Sequence, residues 1–128
     1  VSDESLVVSK KSYRDLKVWR KAIELSKLVY FATEDFPKRE HYGLAAQMRR
    51  AAVSVASNIA EGASRHSNKD YANFLIVARG SLHELVTQIE IACEVHLLTH
   101  ETAANLLPIT DEISKMLSAL RSRLTTHN

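Results

Sequence analysis

Cysteine, proline and glycine are scarce in this 128-residue chain: one Cys, two Pro and three Gly. The single cysteine, Cys93, excludes an internal disulfide and fits a reducing compartment, so a cytoplasmic protein is expected. So few breakers argue against a turn-rich all-β chain. Gly43, Gly62 and Gly80 stand isolated, which excludes a glycine-rich phosphate loop. No apolar run approaches the length of a membrane span, so no membrane partner is expected. The opening VSDESLVVSKK has acids before a short apolar patch and lacks a signal-peptide plan.

What is abundant points to helices. Ala, Leu, Glu, Lys and Arg dominate, and the length suits one domain with one core. Charge is unevenly placed: residues 1–69 hold 13 Lys/Arg against 8 Asp/Glu, so the basic excess lies in the first half. Residues 1–11 are polar and aperiodic and read as a mobile tail, residues 12–125 as a bundle, and 126–128 as a frayed end.

Gln47–Gly62, QMRRAAVSVASNIAEG, is the stretch the rest is built around. Its alanines and serines favour a helix that neighbours approach closely. Gln47, Arg50, Ser54, Asn58 and Glu61 draw a polar stripe along it. Gly62 is expected to end it in a left-handed turn.

Before it, Ser12 and Asp15 form an S-x-x-D start signal for a first helix. Leu16, Val18, Trp19, Ala22, Ile23, Leu25, Ser26, Val29 and Tyr30 cover half of that helix, a wider arc than one bundle seam needs. Arg14, Lys17, Arg20, Lys21 and Lys27 make the other half a basic face, with Lys10 and Lys11 just before it. Pro37 ends this helix, and FPKREHYG is the turn that follows.

Ser67 and Asp70 repeat the start signal ahead of a third helix. Its seam is Tyr71, Leu75, Ala78, Leu82, Leu85, Ile89, Ala92 and His96, about four heptads long. Beside the seam, Ser81, Glu84 and Gln88 are expected to meet the central helix's polar stripe in a hydrogen-bonded layer. Gly80 suggests a close backbone contact, and Pro108 a kink or break in a fourth helix capped by Thr99. The fold expected is an all-α, antiparallel up-down four-helix bundle.

Catalytic readings fare poorly on spacing. His96 and His100 stand four apart, but the helix should break near Thr99 and no Glu follows His96. No Glu has His three residues on, as a di-iron bundle requires. Cys93 reads as a small core hydrophobe rather than a nucleophile. Ser54, Asn58, Glu61 and Glu84 suit a register-fixing network better than an acid–base cluster. Of the two arginines, Arg50 is the one expected to pair internally or between subunits, and Arg49 the one to reach solvent. No catalytic residue, metal or cofactor is expected.

Asp15–Ala22, Phe36-Pro37, Tyr42–Leu44, Gln47–Ala51, Ser54, Asn58–Gly62 (NIAEG) and Phe74–Ala92 (FLIVARGSLHELVTQIEIA) form a set of stretches to be read together. As a set they resemble the four-helix-bundle proteins encoded in intervening sequences of bacterial large-subunit ribosomal RNA genes. The resemblance implies a barrel-like homopentamer. It also implies kinship with the accessory variability determinant of diversity-generating retroelements, a basic pentamer that binds nucleic acid and a reverse transcriptase.

The expected function is therefore a non-enzymatic oligomeric scaffold. It binds RNA or DNA through Lys10, Lys11, Arg14, Lys17, Arg20, Lys21 and Lys27, with a reverse transcriptase as the protein partner the resemblance suggests. The alternative is a protein–protein or structural module whose basic face only keeps it soluble.

Overall fold

Helix ends in this protein are set by a few side chains, and not always those the start signals pick out. The computed structural model describes residues 12–126. The tail of residues 1–11, with Lys10 and Lys11, and the last two residues lie outside the described residues. Ser67 Oγ accepts the Asp70 N–H at 3.1 Å and opens α3 (Asn68–Glu94). Thr99 Oγ1 accepts the Thr102 N–H at 3.0 Å and opens α4 (His100–Thr126). Both satisfy amide donors that a helix start leaves without partners.

The Ser12–Asp15 signal behaves differently. Ser12 Oγ accepts from the Arg14 N–H, closing a 3-10 turn over Tyr13–Asp15, and α1 (Lys17–Thr33) begins only after an extended Leu16. Tyr13 packs edge-on against Trp19, with ring centroids 5.1 Å apart, so the turn folds back along α1. A second 3-10 turn, Lys38–Glu40, leads into α2 (Leu44–Ala63), where Glu40 Oε1 accepts the Leu44 N–H at 3.2 Å.

Three breaker residues sit elsewhere than expected. Gly62 lies inside α2 and no glycine has a positive φ, so it does not turn the chain. It is needed for space: a Cβ there would come within 2.9 Å of Phe74 Cβ and 3.2 Å of the Tyr71 carbonyl. Gly80, expected at a close contact, is exposed, and a Cβ would meet nothing within 4 Å. Pro108 does not interrupt α4. It is exposed, as is Ala104, the residue whose carbonyl loses its donor, and water can satisfy that oxygen.

His96 also departs from expectation. It does not lie on the α3 seam but follows the helix in the left-handed region, at φ 65°. Its N–H reaches the Cys93 carbonyl at 3.1 Å and the Leu97 N–H reaches Ala92 at 2.8 Å, the paired closing bonds of a Schellman end. A side chain is strained there, so His96→Gly should raise stability by about 0.5–1 kcal/mol. Thermal unfolding should record this as a Tm increase of about 2–5 °C.

One core joins all four helices. Val18, Ala22, Leu25 and Val29 of α1 meet Ala45, Met48, Ala52, Val55 and Ile59 of α2. Leu75, Ala78, Leu82, Leu85 and Ile89 of α3, with Leu106, Ile113 and Leu117 of α4, complete it. α2 packs on both α1 and α3, and α4 closes the circle by packing on α3 and α1. The small side chains of α2 permit this central place.

Candidate functional site

α1 divides into three sectors. One is the buried strip of Val18, Ala22, Leu25 and Val29. Next to it runs an apolar flank that is only partly covered: Trp19 is half-buried beside Tyr13, Ile23 is 44% exposed, and Tyr30 is 46% exposed with Arg49 over its ring. Facing this flank, α2 offers Val53, 42% exposed, with Ala56, Ser57 and Ala60. Together with Ser26 and Tyr13 they wall a groove of about 280 Å³. The wide arc read in the sequence therefore exceeds what the bundle buries.

The third sector carries the cations, and two of them are engaged. Lys21 Nζ lies 3.1 Å from Glu112 of α4, and Lys27 Nζ lies 3.0 Å from Glu24. Each is an exposed pair worth no more than about 1 kcal/mol, yet each lowers the net positive charge that the face presents. Arg14 stacks 4.8 Å over the Tyr13 ring. Lys17 and Arg20 are exposed and have no ion pair among the described residues.

The polar layer between α2 and α3 is shorter than its sequence pattern. Ser54 Oγ and Ser81 Oγ are 2.8 Å apart, and Asn58 Nδ2 donates to Ser54 Oγ at 3.0 Å. Gln47, Arg50, Glu61 and Glu84 are all exposed, and Glu61 pairs with Arg65 at 2.7 Å. Gln88 is buried, and its Oε1 has no hydrogen-bond donor. Ser54, Asn58 and Ser81 thus meet at the contact and Gln88 is buried, while Gln47, Arg50, Glu61 and Glu84 turn past it into water.

Within the chain it is Arg49, not Arg50, that packs internally. Arg49 is the anchored one: its Nε donates to Thr33 Oγ1 at 2.8 Å, one Nη2 proton points to the Tyr30 carbonyl at 3.4 Å, and the guanidinium lies 4.6 Å over the Tyr30 ring. Arg50 is exposed and has no ion pair among the described residues. Both line a cleft of about 630 Å³ where the α1–α2 connection turns, with Tyr30, His41, Ala46, Val53 and Ser54. Sequence reasoning missed this cleft. The available signal was Thr33, a hydroxyl at the next helical position of the apolar strip after Val29.

Other chemistry is sparse. Cys93 is half-buried, and its Sγ sits 3.2 Å from His100 Nδ1, at the junction of α3 and α4. His96 and His100 do not share a helix face, because His96 already lies past the end of α3 and His100 opens α4. Among the described residues no three His, Cys, Asp or Glu groups gather as a metal site. Burial raises the Tyr71 phenol above its usual pKa, with Arg123 acting in the opposite direction. Among the described residues no helix is long and apolar enough to cross a membrane.

Comparison with known proteins agrees with this picture of a helical domain. A crystal structure from Bacteroides thetaiotaomicron VPI-5482, described as a protein of unknown function from the S23 ribosomal protein family, superposes with a TM-score of 0.74. Identity is 22%, over 81% of this chain and 97% of that one, a likeness of fold. No protein with a curated description matches the chain. The family model for the 23S rRNA-intervening sequence protein matches residues 14–119, which takes in all of α1, α2 and α3 and most of α4. The chain belongs to the 23S rRNA-intervening sequence protein family.

Proposed function

We propose that the protein is a non-enzymatic helical scaffold that self-associates through the α1–α2 groove and holds RNA or DNA phosphates on the outward cations of α1. The observation that carries this reading is the separation of sectors on α1: apolar Trp19 and Ile23 on one side, exposed Lys17 and Arg20 on another. One helix can then face a sister subunit and a polyanion at once. The implied ring of five would repeat the cations and convert weak contacts into avid binding. An antiparallel up-down order fits contacts that run from Gly62 against Phe74 back to Ser54 against Ser81. The lone Cys93 fits a cytoplasmic setting, and the retroelement kinship makes a reverse transcriptase the protein partner to try.

Because Lys21 and Lys27 already face carboxylates, the decisive variant is Lys17→Glu with Arg20→Glu. It should weaken binding of labelled single-stranded RNA or DNA about tenfold at matched salt. The slope of log affinity against log salt should fall, with helix content unchanged. Undiminished affinity would count against the cations. Light scattering after size exclusion tests the assembly: Ile23→Glu should shift it toward monomer, and a monomeric parent protein would remove the avidity.

A second reading, a protein–protein module without nucleic acid, is favoured by the Lys21–Glu112 and Lys27–Glu24 pairs. Negligible RNA and DNA binding at every salt concentration would select it.

A further inference from the structure

The cleft at the α1–α2 turn has a chemistry that neither the groove nor the α1 cations explain. No carboxylate lines it, and neither of its guanidiniums has an ion pair among the described residues. Its volume of about 630 Å³ lies within the range of small-ligand sites. Arg49 is positioned in advance. Buried Thr33 donates its hydroxyl proton to the Val29 carbonyl at 2.8 Å, which turns an oxygen lone pair toward Arg49 Nε. With Nε and one Nη2 proton directed inward, the Nη1 protons are left for an acceptor in the cleft. The ordering entropy of that side chain is spent before any ligand arrives.

Arg50 and His41 line the same space. Two guanidiniums suit the several oxygens of a phosphate, which carries more charge than one carboxylate. Val53 and the part of Tyr30 not covered by the Arg49 guanidinium, both partly exposed, supply the apolar wall a planar ring needs.

We infer that this cleft binds a nucleotide, its phosphate held by Arg49 and Arg50 and its base against Tyr30 and Val53. A free mononucleotide and the terminal nucleotide of a single strand share this chemistry. The inference rests on residues separate from Lys17 and Arg20, so it stands or falls apart from the polyanion reading.

Calorimetric titration of the full chain tests it, with adenosine 5′-monophosphate, adenosine, inorganic phosphate, and a tetranucleotide with and without a 5′-phosphate. Adenosine 5′-monophosphate should bind, and adenosine should bind at least about tenfold more weakly. Arg50→Gln, an exposed change, should weaken the nucleotide about tenfold. Thr33→Val keeps the buried volume and frees Arg49, and should weaken it about threefold or more. The Lys17→Glu/Arg20→Glu variant should bind the mononucleotide as the parent does. A 5′-phosphorylated tetranucleotide binding more tightly than the mononucleotide assigns the site to strand ends; equal or weaker binding assigns it to free nucleotide. Three results would overturn the inference: no heat with adenosine 5′-monophosphate up to about 5 mM, equal affinity for adenosine, or affinity untouched by Arg50→Gln.

Discussion

Leu85→Ala should lower the stability of this protein by about 2–5 kcal/mol, the cost of a lost side chain plus the cavity it leaves. Leu85 is fully buried on α3, the helix that packs against both α2 and α4, with Leu82 and Ile89 equally inaccessible beside it. Neighbours so placed cannot collapse into the gap without shifting a helix. Urea unfolding followed by circular dichroism should show a lower midpoint at unchanged slope. The control is Ile76→Ala on the same helix. Ile76 is 51% exposed, and its truncation should stay within about 0.5 kcal/mol. Similar losses for the two would mean that α3 does not pack as described.

The second large effect comes from adding an atom. Gly62→Ala should destabilise by about 1–3 kcal/mol despite the better helix propensity of alanine. The new methyl would press on the Tyr71 carbonyl and on Phe74 Cβ, parts of α3 that cannot swing aside as a flexible tip could. Gly80→Ala, made in the same way, should stabilise by about 0.5–1 kcal/mol, since only the propensity term acts where the added carbon touches nothing. The opposite signs are the test. If both substitutions stabilise, α2 and α3 lie further apart at Gly62 than the structure places them.

These two glycines also show where the sequence was legible. Periodicity located the four helices and the buried strips of α1 and α3, because burial repeats with the helix and Leu82, Leu85 and Ile89 repeat with it, whereas Met48, Val55 and Ile59 of α2 are hidden among its alanines and serines. Which glycine marks a close approach depends on the neighbour opposite, and a single chain pattern does not record that neighbour. His96 continued the α3 seam in spacing, yet the backbone had already turned away. Ser12 had the right partner at the right distance but spent its hydroxyl on Arg14, so a tighter turn formed.

The candidate site divides the same way. The apolar flank and the cations of α1 could be read from one helical wheel. Their pairing could not: Glu112, which meets Lys21, lies 91 residues along and belongs to another helix. Arg49 and Arg50 are adjacent in the chain and reach one cleft from directions about 100° apart on the helix, so only one of them can also reach back to α1. Only packing decides which of the two meets the Thr33 hydroxyl.

Pro108 has one more consequence. The amide ladder of α4 lacks a rung there, with Ala104 left to water. The opening two turns from His100 are held instead by Ala103 and Leu106, which are buried in the same core as Ile113 and Leu117. Fraying that begins at the α3–α4 corner must therefore expose Ala103 and Leu106 before it reaches the proline, so burial rather than hydrogen bonding is the firebreak for this helix.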